Sequence, residues 1–211
     1  MATVRINPLE DPDGLKDLQA AMKAGADAIL IPKANTAAQI KILEKYVNEF
    51  EKSLGRDLGT TPLIPNIEQA LGLENAVSIL SASRQIVASL VASEDMVVSL
   101  NAPRKKNSEV LNYVRQRFHV ACAAVGVTSI DMPYTFTDDE GVKLQTQLAK
   151  DTGMRSKSTV NAEHCEIINS ILTPTKIEIE QANELILAFE KARNSGAGQV
   201  IYNGTKVEMP T

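Results

Sequence analysis

Tryptophan is absent from this 211-residue chain, aromatic residues make up only 4% of it, and cysteine and histidine occur twice each. Two cysteines exclude a disulfide framework, and Cys122 and Cys165 fall in segments of helical period that suit reduced thiols. His119 and His164 stand singly and far apart, which argues against a zinc site or a Ser/His triad. Eleven glycines and nine prolines are too few for a collagen-like or proline-rich chain. A basic excess is missing as well. With 22 Lys plus Arg against 26 Asp plus Glu, the formal charge of −4 points away from nucleic acid as a partner. No apolar run approaches the ~20 residues that span a bilayer, and MATVRINPLEDPDG lacks the basic-then-apolar layout of a secretion signal. The expected setting is therefore cytoplasmic, with no membrane partner. GxGxxG and GxxxxGK[ST] motifs are also absent, which removes the usual dinucleotide and Walker phosphate loops. The one basic cluster, Arg104-Lys105-Lys106, precedes the N-cap signal Asn107-Ser108. It reads as a solvated loop, with a phosphate contact as the sharper alternative.

What remains is 44% apolar and 23% charged, enough to bury a core of domain size. Short β-rich runs alternate with longer segments of helical period. Strands are expected at 3–7, 28–32, 62–68, 86–92, 127–131 and near Ser158 to Asn161. Between them lie helical faces such as Leu15, Leu18 and Met22 before Gly25, and Ile40, Leu43, Val47, Phe50 and Leu54 before Gly55. Further helices are expected near Leu71 to Ser81, from Leu111 to Cys122, and over Gly141 to Lys150. The runs AILI and IVASLVA are apolar on both faces, as a parallel sheet buried under helices requires. Six βα units result, followed by helices at 162–172 and 178–192. The tail QVIYNGTKVEMPT carries the hairpin signal Asn203-Gly204. No linker marks off a second domain, so 1–211 reads as a single α/β domain with 172–211 as a helix and hairpin extension. Met96, Met132 and Met154 read as packing residues.

In parallel α/β folds ligands sit beyond the carboxyl ends of the strands, and charges there are the informative ones. Arg5 lies within the first strand, Lys33 follows the second, Glu68 ends the third, and Glu94-Asp95 follow the fourth. Two carboxylates from neighbouring strand ends suit Mg²⁺, with water and substrate oxygens completing its shell, and an arginine suits a substrate carboxylate. The plainer alternatives are that Glu68 and Asp95 cap the following helices and that Arg5 is an ion-pair partner of Glu68. A lysine in the place of Lys33 is ordinarily solvated.

The ordered segments VRINP, GADAILIPK, PLIPNIEQALGLENA, ASEDM and YVRQRFHVACAAVGVTSIDMPYTFTDDEGV resemble the citrate lyase beta subunit-like branch of the HpcH/HpaI aldolase family. The likeness continues through KSTVNAEHCEIINSILTPTKIEIEQANELILAFEKA to GQVIYNGTKVEMP. It implies a TIM (βα)8-type barrel, here incomplete at about six βα units, because the family has two such units before its VRxN strand. It also implies a Mg²⁺-dependent carbon–carbon lyase acting on a 3-hydroxyacyl-CoA thioester such as citryl-, malyl- or citramalyl-CoA, giving an oxo acid and acetyl-CoA. By the same resemblance, Arg5 and Glu68 contact substrate and Glu68 and Asp95 hold Mg²⁺; it assigns no general acid or base. A homo-oligomer and other lyase subunits are the partners it implies. Gln69, Ala92 and Val160-Asn161-Ala162 depart from the family's pattern. The two absent units and Val160-Asn161-Ala162 motivate the alternative of an accessory scaffold that binds metal or acyl-CoA without turnover. A six-strand arc also predicts two long open edges and association through them.

Overall fold

The computed structural model describes residues 2–208, which fall into two compact units that divide after Leu172. The first unit alternates strand and helix. It begins β1 (Thr3–Arg5), α1 (Gly14–Ala24), β2 (Ala28–Ile31), α2 (Ala37–Ser53), β3 (Leu63–Ile67), α3 (Ala70–Glu74) and α4 (Ala76–Leu80). It continues with β4 (Ala88–Val91), α5 (Glu94–Ser99), α6 (Glu109–Val125), β5 (Thr128–Asp131), α7 (Asp139–Thr152), β6 (Ser156–Lys157) and α8 (His164–Leu172). All six strands are parallel, and their spatial order follows the chain from β1 to β6. In a doubly wound sheet the order would reverse at a switch point. Here it never does, so the sheet is an arc of a TIM-type barrel, as the sequence leads one to expect.

The parity of each strand decides which face its side chains take, since successive residues point to opposite faces and paired residues to the same one. One face carries Ile29, Ile31, Leu63, Ile67 and Val91, packed under Leu18, Met22, Ile40, Leu43, Val47, Phe118 and Cys122 from the helices. Met96, Met132 and Met154 join this core, in keeping with their sequence reading. The opposite, concave face carries Asn66, which is level with Leu90, Ile130 and Ser156 along the ladder. The helices begin where their sequence directs. Thr36 and Gln39 form a reciprocal capping box on α2, and the hydroxyl of Ser108 caps α6 by accepting from Leu111 N.

Three boundaries differ from the sequence reading. The expected helix over 71–81 is broken into α3 and α4 at Asn75, whose side chain donates to Asn35 O at 2.9 Å. The sixth strand is not at 158–161 but at Ser156–Lys157, where register pairs Lys157 with Asp131. The two sheet edges are short rather than long, three residues in β1 and two in β6.

In the second unit, α9 (Lys176–Asn194) opens on a Thr175/Glu178 capping box, and β7 (Gln199–Tyr202) pairs antiparallel with β8 (Thr205–Glu208). The connecting Asn203 and Gly204 have φ of 46° and 76°, the left-handed pair that a two-residue hairpin needs. Residues 209–211 of the expected hairpin segment lie outside the described residues.

A buried carboxylate closes the loop between α2 and β3. Glu51, fully buried, accepts backbone N–H bonds from Gly59 (2.6 Å), Thr60 (3.0 Å) and Thr61 (2.6 Å). Burial alone would raise its pKa, but the donors from Thr61, Gly59 and Thr60 outweigh it and hold the carboxyl below its ordinary value. Its stabilisation is therefore present above the unfolded pKa and lost as pH falls through the folded one. Glu51→Gln is expected to cost about 1–3 kcal/mol in urea unfolding at neutral pH, with the gap narrowing in acid. A gap unchanged between neutral and acid pH would show that the charge is not what holds the loop.

Candidate active site

Glu68 follows β3 immediately and is 3% exposed. Asn66 and Glu68, two residues apart, share the concave face, and Asn66 Nδ2 donates to Glu68 Oε1 at 2.5 Å. In the turn after β2, the backbone N–H and the charge of Lys33 both act to lower the Glu68 carboxyl. Lys33 adopts φ of 49°, a left-handed conformation that a lysine takes only at a cost of ~1 kcal/mol. The neighbouring amide of Ala34 donates to Asn66 O at 3.0 Å, so this turn is fastened to β3.

Electrostatics brings the sequence candidates together. Burial, then the charge of Asp95, raises the Glu68 carboxyl above its ordinary value, while Arg5 and Lys33 act in the opposite sense. Asp95 is exposed in the first turn of α5, and Arg5 and Lys33 are exposed. Neither of the plainer alternatives for the acidic residues is realised. The N-caps of α3 and α5 are Gln69 and Ser93, so Glu68 and Asp95 cap nothing. Arg5 acts on Glu68 through its charge, and no ion pair between them is formed.

Gln69 accepts from Asn35 Nδ2 at 2.5 Å, tying the turns after β2 and β3 together. Ala92 donates its N–H to Ile67 O, and Asn161 accepts from Glu163 N in the loop before α8. In the basic cluster, Arg104 pairs with Glu94 at 2.8 Å and stacks over Phe136, while Lys106 pairs with Asp138 at 2.8 Å. Cys122 is buried and its thiol is pushed up to about 12 by burial; Cys165 is exposed, and neither is in a disulfide.

Two features escape a sequence reading. Asn66 is 3% exposed, and its Oδ1 has no hydrogen-bond donor among the described residues. An unsatisfied buried amide oxygen costs about 1–3 kcal/mol. The signal for it is its place two residues before Glu68 in an otherwise apolar strand. The other feature is a buried charge cluster. Asp131 accepts from Lys157 Nζ at 2.6 Å and from Arg115 Nε at 2.7 Å. Arg115 also bonds Asn112 and Gln145, and Lys157 bonds Met132 O. Parity separates this cluster from Glu68. Ile130 is level with Leu90 and Asn66 on the concave face, so Asp131 and its partner Lys157 lie on the helix-facing side. A cavity of about 30 Å³ beside Lys157, Arg115 and Tyr134 belongs to that outer side as well.

Among the described residues no group of three His, Cys, Asp or Glu side chains gathers as a metal cluster. Glu68 and Asp95 are a pair. Their arrangement still fits a cation, because a buried carboxylate raised by its own burial and by a second negative charge is relieved by positive charge placed between them.

The family model for HpcH/HpaI aldolase/citrate lyase matches residues 1–162. The chain belongs to the HpcH/HpaI aldolase/citrate lyase family. By class it is a carbon–carbon lyase. It is 36% identical over 208 residues to the citrate lyase subunit beta of Leuconostoc mesenteroides subsp. cremoris, covering 98% of this chain and 69% of that protein. A citrate lyase structure from Burkholderia xenovorans LB400 superposes with a TM-score of 0.84 at 17% identity, over 98% of this chain and 67% of that one. The CitE protein of Mycobacterium tuberculosis, solved in complex with magnesium, acetoacetate and coenzyme A, gives 0.75 at 22% identity over 99% and 73%. Both structures share the barrel-type fold of this lyase family. All the site residues considered above lie in the first unit of the chain, and no helix among the described residues is long and apolar enough to cross a membrane.

Proposed function

We propose that the chain is a Mg²⁺-dependent lyase that cleaves a 3-hydroxyacyl-CoA thioester of the citryl-CoA type into an oxo acid and acetyl-CoA. The observation that carries this reading is the Glu68 carboxyl, buried, raised by burial and by Asp95, and held by the Asn66 side-chain N–H. Kinship with a citrate lyase subunit beta and a neighbour crystallised with magnesium support it.

Glu68 and Asp95 are the residues that would hold Mg²⁺. When bound, the ion supplies Lewis-acid stabilisation of negative charge on substrate oxygen. Arg5, on the exposed β1 edge, offers a planar fork that receives a substrate carboxylate through two parallel hydrogen bonds. Asn66 Nδ2 keeps the Glu68 carboxylate oriented before substrate arrives, so no reorientation is needed during reaction. Lys33, whose own side chain is exposed beside this turn, adds positive charge where anionic substrates approach.

The test is oxo-acid release from citryl-, malyl- and citramalyl-CoA by the full chain, with Mg²⁺ and with EDTA. Release that EDTA abolishes supports the reading. No release from any of the three, under conditions where the Leuconostoc relative turns over, overturns it as an activity. Mg²⁺ or CoA-ester binding without turnover would then identify an accessory subunit.

A further inference from the structure

The Asn66 side chain is held in one orientation and has one vacancy. Its Nδ2 is committed to Glu68 Oε1 at 2.5 Å, which fixes the amide plane and leaves Oδ1 facing the other way. That oxygen is buried and finds no donor among the described residues. Buried amide oxygens in folded proteins are paired as a rule, so the donor for this one is to be sought outside the described residues.

Position narrows the donor. The concave face of β3 reads Ile64, Asn66, Glu68, and Ile64 is level with Arg5 through Leu30. Asn66 thus stands between the level of Arg5 and the Glu68 end of the strand. A ligand held by Arg5 at one end and by the Glu68 and Asp95 pair at the other would span the position of this oxygen, which the surrounding side chains cover. The charged groups of the site take up acidic and carbonyl oxygens. An amide oxygen requires the opposite partner, a group that donates.

We propose that Asn66 is a specificity-determining residue, whose Oδ1 accepts a hydrogen bond from the hydroxyl of a hydroxy-acid ligand. This rests on the Mg²⁺ lyase reading given above. It deepens it by giving the site a means of telling a hydroxy acid from the oxo acid that cleavage leaves, because the oxo carbon carries no O–H. A site built to bond a hydroxyl also rejects the analogue that lacks it, since its own polar group is then left unpaired.

The experiment compares malate with succinate, which differ by that hydroxyl alone, by calorimetric titration of the full chain in Mg²⁺. Malate is expected to bind about tenfold more tightly than succinate to the wild type, and the ratio is expected to fall to within about twofold in Asn66→Leu. Loss of the Nδ2 bond to Glu68 in this variant affects both ligands alike, so the ratio isolates Oδ1. A wild-type ratio near one overturns the assignment without any variant, which covers the case that Asn66→Leu does not fold. A wild-type ratio that Asn66→Leu preserves also overturns it, and leaves the Mg²⁺ reading standing. If neither acid binds, Asn66 has no such role, and a Mg²⁺ titration settles the remainder. Mg²⁺ binding that Glu68→Gln abolishes keeps the metal reading, whereas Mg²⁺ binding that Glu68→Gln leaves unchanged removes that reading too.

Discussion

Glu68→Gln is expected to lower Mg²⁺-dependent cleavage by at least about a thousandfold while leaving the fold intact. Glutamine keeps the volume and one carbonyl oxygen to accept the Asn66 N–H, and removes the charge. The two effects separate because the charge is a cost to the folded protein. Glu68 is raised by burial and by Asp95, so its ionised form is disfavoured in the native state. For a carboxyl raised in this way the native state binds more protons than the unfolded one, and stability falls as pH rises from the unfolded pKa to the folded one. At neutral pH without metal, Glu68→Gln is thus expected to melt at the same temperature as the wild type or higher. Mg²⁺ is expected to raise the wild-type melting temperature and leave that of the variant unchanged. Thermal melts with and without Mg²⁺, beside the oxo-acid assay, check both halves. A variant that melts lower and still responds to Mg²⁺ would mean that Glu68 is a structural group.

Asp131→Ala is expected to give the largest loss of stability of any substitution considered, about 3–5 kcal/mol, because it leaves two buried cations without their shared anion. The side chains of Asp131 and Lys157 are fully buried and that of Arg115 is 2% exposed, so water does not replace the lost carboxylate. Burial already pulls the Lys157 ammonium below its ordinary pKa despite the attraction of Asp131, which shows how much the ion pair has to offset. Lys157→Met should cost less, since Asp131 keeps its bond to Arg115 and Arg115 keeps Asn112 and Gln145. Urea unfolding at neutral pH checks the order. Equal losses, or a larger one from Lys157→Met, would show that Asp131 is not the hub.

These two substitutions also mark where sequence reasoning reaches and where it stops. Arg5, Glu68 and Asp95 were legible because each is a charge in or just after an apolar run, where an unpaired charge is costly. The parallel strands were legible in part for the same reason in reverse: AILI is largely buried on both faces, whereas IVASLVA alternates between buried and half-buried residues in β4 and leaves Val87 exposed. Asn66 was not. A neutral amide among Leu, Ile and Pro has no distinctive pattern until its partner is known. Ser156–Lys157 has no strand propensity to speak of, and its pairing follows from Asp131, 26 residues away, which Lys157 reaches through space. Asn75 breaks the expected helix over 71–81 by bonding Asn35 O, again a contact between distant parts of the chain.

The strand order β1 to β6 has a consequence for how the chain is made. Each strand lies beside the one synthesised just before it, so every new strand emerging from the ribosome finds its template already present. The sheet can grow from one end, without waiting for a distant segment to close it. Arg5, Lys33, Asn66, Glu68 and Asp95 all fall within the first 95 residues, and the charge cluster that locks β5 to β6 needs residues as late as Lys157. In chain order the site residues precede the ions that secure the last strands.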